Sequence, residues 1–280
     1  MKIKPSSILL GVWSYIFILI LYAPFIIMLI LSFQGPAGAP TFPMEGTSFY
    51  WYKKLFGITA TSAELAVAAD AGTALGSYVG PLLRSLTLAA MTACISAVLG
   101  LISAMAFRKP FKGSGLVFYL FLMGLITPGV CVGLGLAMFM QRIEFALNWY
   151  TSGLIGHVIW TLPFTFLIMI MSFNRFDTSV EEAASVLGAS PWVTFKTVIF
   201  PVIKPGFAVS ALFGFTLSFD ELIRTLFVAG IENTLPLFLM ASMTVRVTPM
   251  IYALGSIITT CSLILVVGTL FYATRRQAIS

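Results

Sequence analysis

Long apolar runs separated by short polar stretches set the pattern of this chain. Six such runs cover residues 8–33, 81–107, 115–140, 152–173, 206–227 and 249–273. At 1.5 Å per residue, each can cross about 30 Å of hydrocarbon with some tilt. The runs are continuous and do not alternate at every second residue, which sets a β-barrel aside. The pattern predicts an all-α polytopic membrane protein with six transmembrane helices in a single domain over residues 1–280. The start resembles a signal peptide, and Ala37-Gly38-Ala39 offers a small-residue site. The first run, however, is about twice the usual 7–15 residue apolar segment of a signal peptide. It reads as an uncleaved first span.

The stretches between the runs add detail. Residues 34–80 form a polar segment rich in Gly, Ala and Ser, with a short helix expected at 49–56. Its Tyr50, Trp51 and Tyr52 suit a membrane interface. Residues 230–248 contain LPLFLMASM, too short to span and suited to a re-entrant or interfacial helix. In the third run Gly129, Gly133 and Gly135 follow Pro128, a pattern that permits a kink and close helix contact.

Composition agrees with the pattern. Only 9% of the residues are charged and mean hydropathy is +1.01, against about 25% charged in soluble domains. The net charge of +6 is no nucleic-acid signal, because its placement follows the membrane. With the N-terminus inside, Lys2, Lys4, Arg108, Lys109, Lys112, Arg175, Lys196, Lys204, Arg275 and Arg276 fall on the inner side, ten of the 16 basic residues. Of the acidic residues only Asp177, Glu181 and Glu182 do. Both termini are therefore expected in the cytoplasm. Cys94, Cys131 and Cys261 lie inside apolar runs, read as buried small hydrophobes, and have neither disulfide nor metal spacing.

Residues 174–205 hold most of the charge found between the late runs. Ser179 with Glu182 matches a capping box, and Glu181 and Glu182 occupy a first turn where the helix dipole favours acid. Val180, Ala184 and Leu187 share a face with Ala183 beside it, and Gly188 can end the helix. Ser190 and Pro191 suit the cap and first position of a second short helix, with Pro201 and Pro205 breaking it before the fifth run. Such a face either docks in a groove of another protein or belongs to a plain surface loop.

Glu182-Ala183-Ala184, three residues, Gly188, nine residues, Val198-Ile199-Phe200-Pro201 resembles the EAA motif of bacterial ABC importer permeases. Val198 and Phe200 depart conservatively from the family's Ile and Leu. FDELIRTLFVAG (219–230) and NTLPLFLMASMTVRVTPMIYALGSI (233–257) resemble the spermidine/putrescine permease group. The resemblance implies a type I importer permease fold in the bacterial inner membrane, with 174–205 as its cytoplasmic coupling loop. It implies that Glu182, Ala183, Ala184, Leu187 and Gly188 touch an ATP-binding subunit. The chain lacks a GxxxxGK[ST] phosphate loop, so ATP and Mg are expected on a dimer of that partner. A second homologous permease and a periplasmic solute-binding protein complete the implied assembly, in which this chain binds no cofactor of its own.

Asp220, Glu221 and Arg224 are the unusual charges within a run, and such charges face a cavity or a partner. Asp220 and Glu221 either attract a cation along the translocation path, or Asp220 pairs with Arg224 at i, i+4 to hold the helix. Resemblance favours a polyamine or other organic cation over an opine, amino-acid derivative or phosphonate. His157 is expected to be buried and hydrogen-bonded, Arg142 and Glu144 to form a solvated turn, and Trp149, Tyr150 and Trp160 to anchor or pack. An ion-coupled secondary transporter would show paired charged halves. An intramembrane enzyme would need converging nucleophile, base or metal ligands. One His and scattered Cys provide neither.

Overall fold

A computed structural model describes residues 5–36, 39–58, 78–109, 111–245 and 247–277. Lys2, Lys4, Arg246, part of the small-residue site at 37–39 and part of the 34–80 segment lie outside the described residues. The described chain is helical between turns, with one isolated antiparallel bridge joining Gln34 and Thr47. It divides into two compact units, Met1–Gly76 with Leu239–Val267, and Ser77–Phe238 with Gly268–Ser280.

The first unit contains α1 (Pro5–Leu31) and α2 (Tyr50–Leu55), where the short helix was expected. Tyr50 and Trp51 do not form an exposed interfacial belt: both are buried. The Trp51 indole N–H donates to the Gln34 carbonyl at 2.9 Å, and the Tyr52 and Ser32 hydroxyls lie 2.6 Å apart. A buried indole needs such an acceptor. These bonds tie the segment back onto the end of α1.

In the second unit α3 (Val79–Ala106), α6 (Leu154–Asn174) and α9 (Phe200–Phe219) pack as a bundle. Glycine sets the approach at two crossings. A methyl on Gly206 of α9 would fall 1.9 Å from the Ser172 hydroxyl oxygen on α6, and one on Gly100 of α3 would fall 2.9 Å from the Thr165 carbonyl carbon. Only a residue without Cβ allows these separations. Leu101, Phe166, Met169 and Ile203 fill the core between the helices.

Among the described residues, four helices are long and apolar enough to cross a membrane: Leu9–Leu31, Val79–Ala106, Trp149–Asn174 and Pro191–Phe219. The run at 115–140 is not one straight span. It forms α4 (Ser114–Ile126) and α5 (Gly129–Arg142), bent by 105° across Thr127-Pro128. Thr127 is extended, as the residue before a proline prefers. The run at 249–273 lies within α12 (Pro249–Gln277), preceded by α11 (Leu235–Val245).

Three further expectations are corrected. Pro201 and Pro205 do not break the chain before the fifth run: helix continues from Pro191 to Phe219, 29 residues. A π-helical turn, Phe195–Ile199, ends two residues before Pro201. It widens the turn that the proline ring would otherwise meet four residues back. The fifth run then stops being continuous at Asp220 and resumes as α10 (Ile223–Val228). Cys94, Cys131 and Cys261 are exposed on their helices rather than buried, since an apolar residue in a membrane protein can face lipid or a neighbour as readily as its own core.

Candidate functional site

The loop after α6 builds α7 (Thr178–Val186) and α8 (Pro191–Thr194). The cap of α7 is Asp177, whose carboxylate accepts the Ser179 N–H at 2.9 Å. Ser179 is therefore not the cap, and the expected capping box with Glu182 does not form. That hydrogen bond holds the Asp177 carboxyl below its ordinary pKa. Gly188 ends the helix with φ +81, the left-handed conformation that glycine adopts without strain. Ser190 caps α8 through the Val193 N–H, and Pro191 opens it.

The two adjacent glutamates of this loop do different things. Glu181 pairs with Arg108, whose guanidinium lies over the Phe173 and Phe176 rings at 5.2 and 5.4 Å. That contact ties α7 to the segment after α3. Glu182 is exposed and free to meet something else, as is Ala183, while Ala184 is half-buried. Val186 and Leu187 are each 87% exposed, a contiguous apolar tip at the end of α7 beside Gly188.

A second cluster surrounds the break between α9 and α10. Glu221 and Arg224 are 8% and 5% exposed. One Glu221 carboxylate oxygen accepts the Arg224 backbone N–H and the other its Nη1, both at 2.8 Å. The expected alternative of an Asp220–Arg224 pair is thus replaced by Glu221–Arg224 at i, i+3. Trp160 of α6 covers the guanidinium at 3.9 Å from the ring centroid, a cation–π geometry. On α5, a methyl on Gly129 would come within 3.1 Å of Arg224 Nη1, and one on Gly133 within 3.1 Å of Arg224 Cα. These glycines make room for the buried cation, whereas Gly135 meets nothing within 4 Å. Asp220 is exposed, and its carboxylate has no hydrogen bond or ion pair among the described residues.

His157 is buried as expected, 1% exposed, and both ring nitrogens are bound. Nδ1 lies 2.7 Å from the Ser218 hydroxyl of α9, and Nε2 lies 2.8 Å from the Thr225 hydroxyl of α10. Arg142 and Glu144 are exposed, consistent with a solvated turn. The sequence reading missed Glu232. It accepts from Arg84 at 3.0 Å and from the Trp149 indole N–H at 2.7 Å, bracing the segment that carries Ile231, which is 99% exposed. Three residues far apart in the chain make this junction, and no local spacing announces it. Trp160 was expected to anchor or pack, and its partner Arg224 lies 64 positions away in the sequence.

Residues 96–277 match the family described as binding-protein-dependent transport system inner membrane component. The chain is similar to the putrescine transport system permease protein PotI of Escherichia coli K12, 30% identical over 258 residues that cover 88% of this chain and 85% of that protein. It is also similar to the spermidine/putrescine transport system permease protein PotC of Haemophilus influenzae, 28% identical, covering 88% of this chain and 89% of that one. Among solved structures, a bacterial ABC transporter involved in import of the acidic polysaccharide alginate matches over 100% of both chains at TM-score 0.66 and 17% identity. The MetNI methionine ABC transporter matches 71% of this chain and 96% of its own at TM-score 0.53 and 15% identity. These two likenesses are of fold.

Proposed function

We propose a transport role from a firm premise: the chain belongs to the binding-protein-dependent transport system inner membrane component family. It is a permease subunit of an ABC importer, a transport component and not an enzyme. On our reading it spans the membrane six times with both termini in the cytoplasm, the bent α4–α5 pair counting as one crossing. It forms half of a translocation path for a polyamine or another small organic cation. A second homologous permease forms the other half, a periplasmic binding protein delivers the solute, and a dimer of ATP-binding subunits drives the cycle.

The substrate reading is carried by the division of three charges at the α9–α10 corner. Arg224 is taken up by Glu221, so the positive charge that would repel a cation is neutralised in place. Asp220 remains exposed with no counterion among the described residues. The corner therefore presents net charge −1 at its accessible end, which suits an ammonium group. The polyamine permeases PotI and PotC, to which most of this chain is similar, support the same class.

Energy enters through α7, in the loop that precedes the helix ending at this corner. Glu182, Ala183, Ala184, Leu187 and Gly188 form the contact with the ATP-binding subunit: the exposed apolar tip at Leu187 enters its cleft, the small residues permit close approach, and Glu182 meets a basic group. The experiment is uptake of putrescine by the full transporter in proteoliposomes. Asp220→Asn lowers the uptake rate. Glu182→Lys and Gly188→Asp lower both uptake and its coupling to ATP hydrolysis while the protein still inserts. Normal uptake by Asp220→Asn removes the cation path, and normal uptake by the two loop variants removes the coupling contact.

A further inference from the structure

We propose that His157 is a positioning residue that fixes the direction of Asp220 by clasping both sides of the α9–α10 break; this rests on the reading of Asp220 as part of the substrate path. The hydrogen-bond pattern assigns the protons. The Thr225 hydroxyl donates to the Glu221 carbonyl at 2.6 Å, so its one hydrogen is committed. His157 Nε2 lies 2.8 Å from that hydroxyl oxygen and must therefore carry the hydrogen. A neutral ring then leaves Nδ1 as an acceptor, and the Ser218 hydroxyl at 2.7 Å donates to it. Every donor in this chain of contacts has an acceptor.

The clasp matters because the helix ladder stops here. Asp220 and Glu221 close the end of α9 with long backbone bonds of 3.3 and 3.4 Å to Thr216 and Ser218, and α10 starts only at Ile223. Ser218 lies two residues before Asp220 and Thr225 five residues after it. One rigid imidazole holds both, from a third helix, α6. The corner's direction is thus set by two ring bonds, the Thr225–Glu221 bond and the Glu221–Arg224 pair. His157 touches no solute on this account; it aims the carboxylate that does.

The test uses the full transporter in proteoliposomes: this chain, its second permease, the ATP-binding subunits and the binding protein at saturation, with putrescine as probe. His157→Ala should lower putrescine imported per ATP hydrolysed by about tenfold. Binding-protein-stimulated ATP hydrolysis should stay within about twofold, which general loss of structure would not allow. Ser218→Ala and Thr225→Val each remove one arm and should give smaller losses of the same kind, which keeps the test open if His157→Ala folds poorly. Combined with Asp220→Asn, each should add nothing to the effect of Asp220→Asn alone. Multiplying effects would mean that His157 acts on something other than Asp220 and would overturn the proposal. An Asp220→Asn variant that imports normally would instead overturn the substrate-path reading. A readout free of any solute completes the test. In a chain with Cys94, Cys131 and Cys261 changed to Ser, His157→Ala should change the rate at which a cationic thiol reagent modifies Asp220→Cys by about tenfold or more, leaving Thr216→Cys unaffected. Equal rates at position 220 would overturn the proposal.

Discussion

Glu221 and Arg224 offer the sharpest energetic test of the corner. Glu221→Ala removes the acceptor of two bonds, from the Arg224 backbone N–H and from Nη1, each 2.8 Å long. It leaves a guanidinium that is only 5% exposed without a counterion. Its Nε already lacks a partner among the described residues. Removing one member of a buried pair costs about 3–5 kcal/mol. The Trp160 face at 3.9 Å stays in place and retains part of the cation's stabilisation, about 2 kcal/mol for a desolvated pair. The expected loss is therefore near the lower end, about 3 kcal/mol, or roughly a hundredfold in the folding equilibrium. Arg224→Met should cost less, because a stranded carboxyl can take up a proton while a guanidinium cannot shed one. The double variant Glu221→Leu with Arg224→Met should lie within about 1.5 kcal/mol of wild type, since a well-packed apolar replacement of both charges is often neutral. Unfolding by SDS in mixed micelles, followed by near-ultraviolet circular dichroism, reads all three. A Glu221→Ala variant as stable as wild type, or a double variant no better than Glu221→Ala, would refute the reasoning.

Three further outcomes follow from the backbone and the caps. Gly188→Val forces a β-branched residue into φ +81 at about 1–2 kcal/mol and should loosen residues 178–190 in hydrogen exchange, whereas Gly188→Asn should loosen them less. Gly206→Ala places a methyl 1.9 Å from the Ser172 hydroxyl oxygen and 2.7 Å from its Cβ; thermal unfolding of the purified protein should shift down by several degrees, and adding Ser172→Gly should restore most of it. The Asp177 cap has a carboxyl pKa below its unfolded value, so its stabilising effect is complete above the ordinary carboxylate pKa of about 3.9. It fades as pH falls through the lower folded value. Amide protection in the first turn of α7 should show that loss, and Asp177→Asn should remove the pH dependence while keeping a cap.

Local grammar made parts of this structure legible in advance. Gly188 with positive φ, the Ser190 cap with Pro191 behind it, and the short helix at Tyr50–Leu55 all follow from interactions within a few residues. Where two local solutions competed, the sequence pattern was ambiguous. Asp177 and Ser179 are both good caps, and the earlier one starts the helix. Pro201 reads as a breaker until the π turn before it is known. The charges at the corner were recognised, but their pairing was not. Asp220 and Glu221 are equivalent on the page. In the structure Gly129 and Gly133, just after the bend at Thr127-Pro128, and the Trp160 face lie against Arg224, and Glu221 is the carboxylate that pairs with it.

The continuity of the helix from Pro191 to Phe219 changes how the loop and the corner relate. The sequence pattern suggested two short helices, the second broken at Pro201 and Pro205 before the fifth run. Instead α8 is the first turn of the helix that ends at Asp220. Over 29 residues the rod is about 43 Å long at 1.5 Å per residue; it begins just after the loop that carries the proposed ATPase-side contact and ends beside Asp220 of the proposed cation site. A rod moves both its ends together, so displacement at Pro191 need not be relayed by side-chain rearrangement. The π turn at Phe195–Ile199 lies close to the loop. The stretch from Phe200 onward is clamped by close glycine crossings to α3 and α6, where a methyl on Gly214 would fall 2.8 Å from the Ser96 hydroxyl oxygen. On the proposed coupling, that clamped stretch is what would carry motion to the corner, which His157 on α6 ties to the bundle through Ser218 and Thr225.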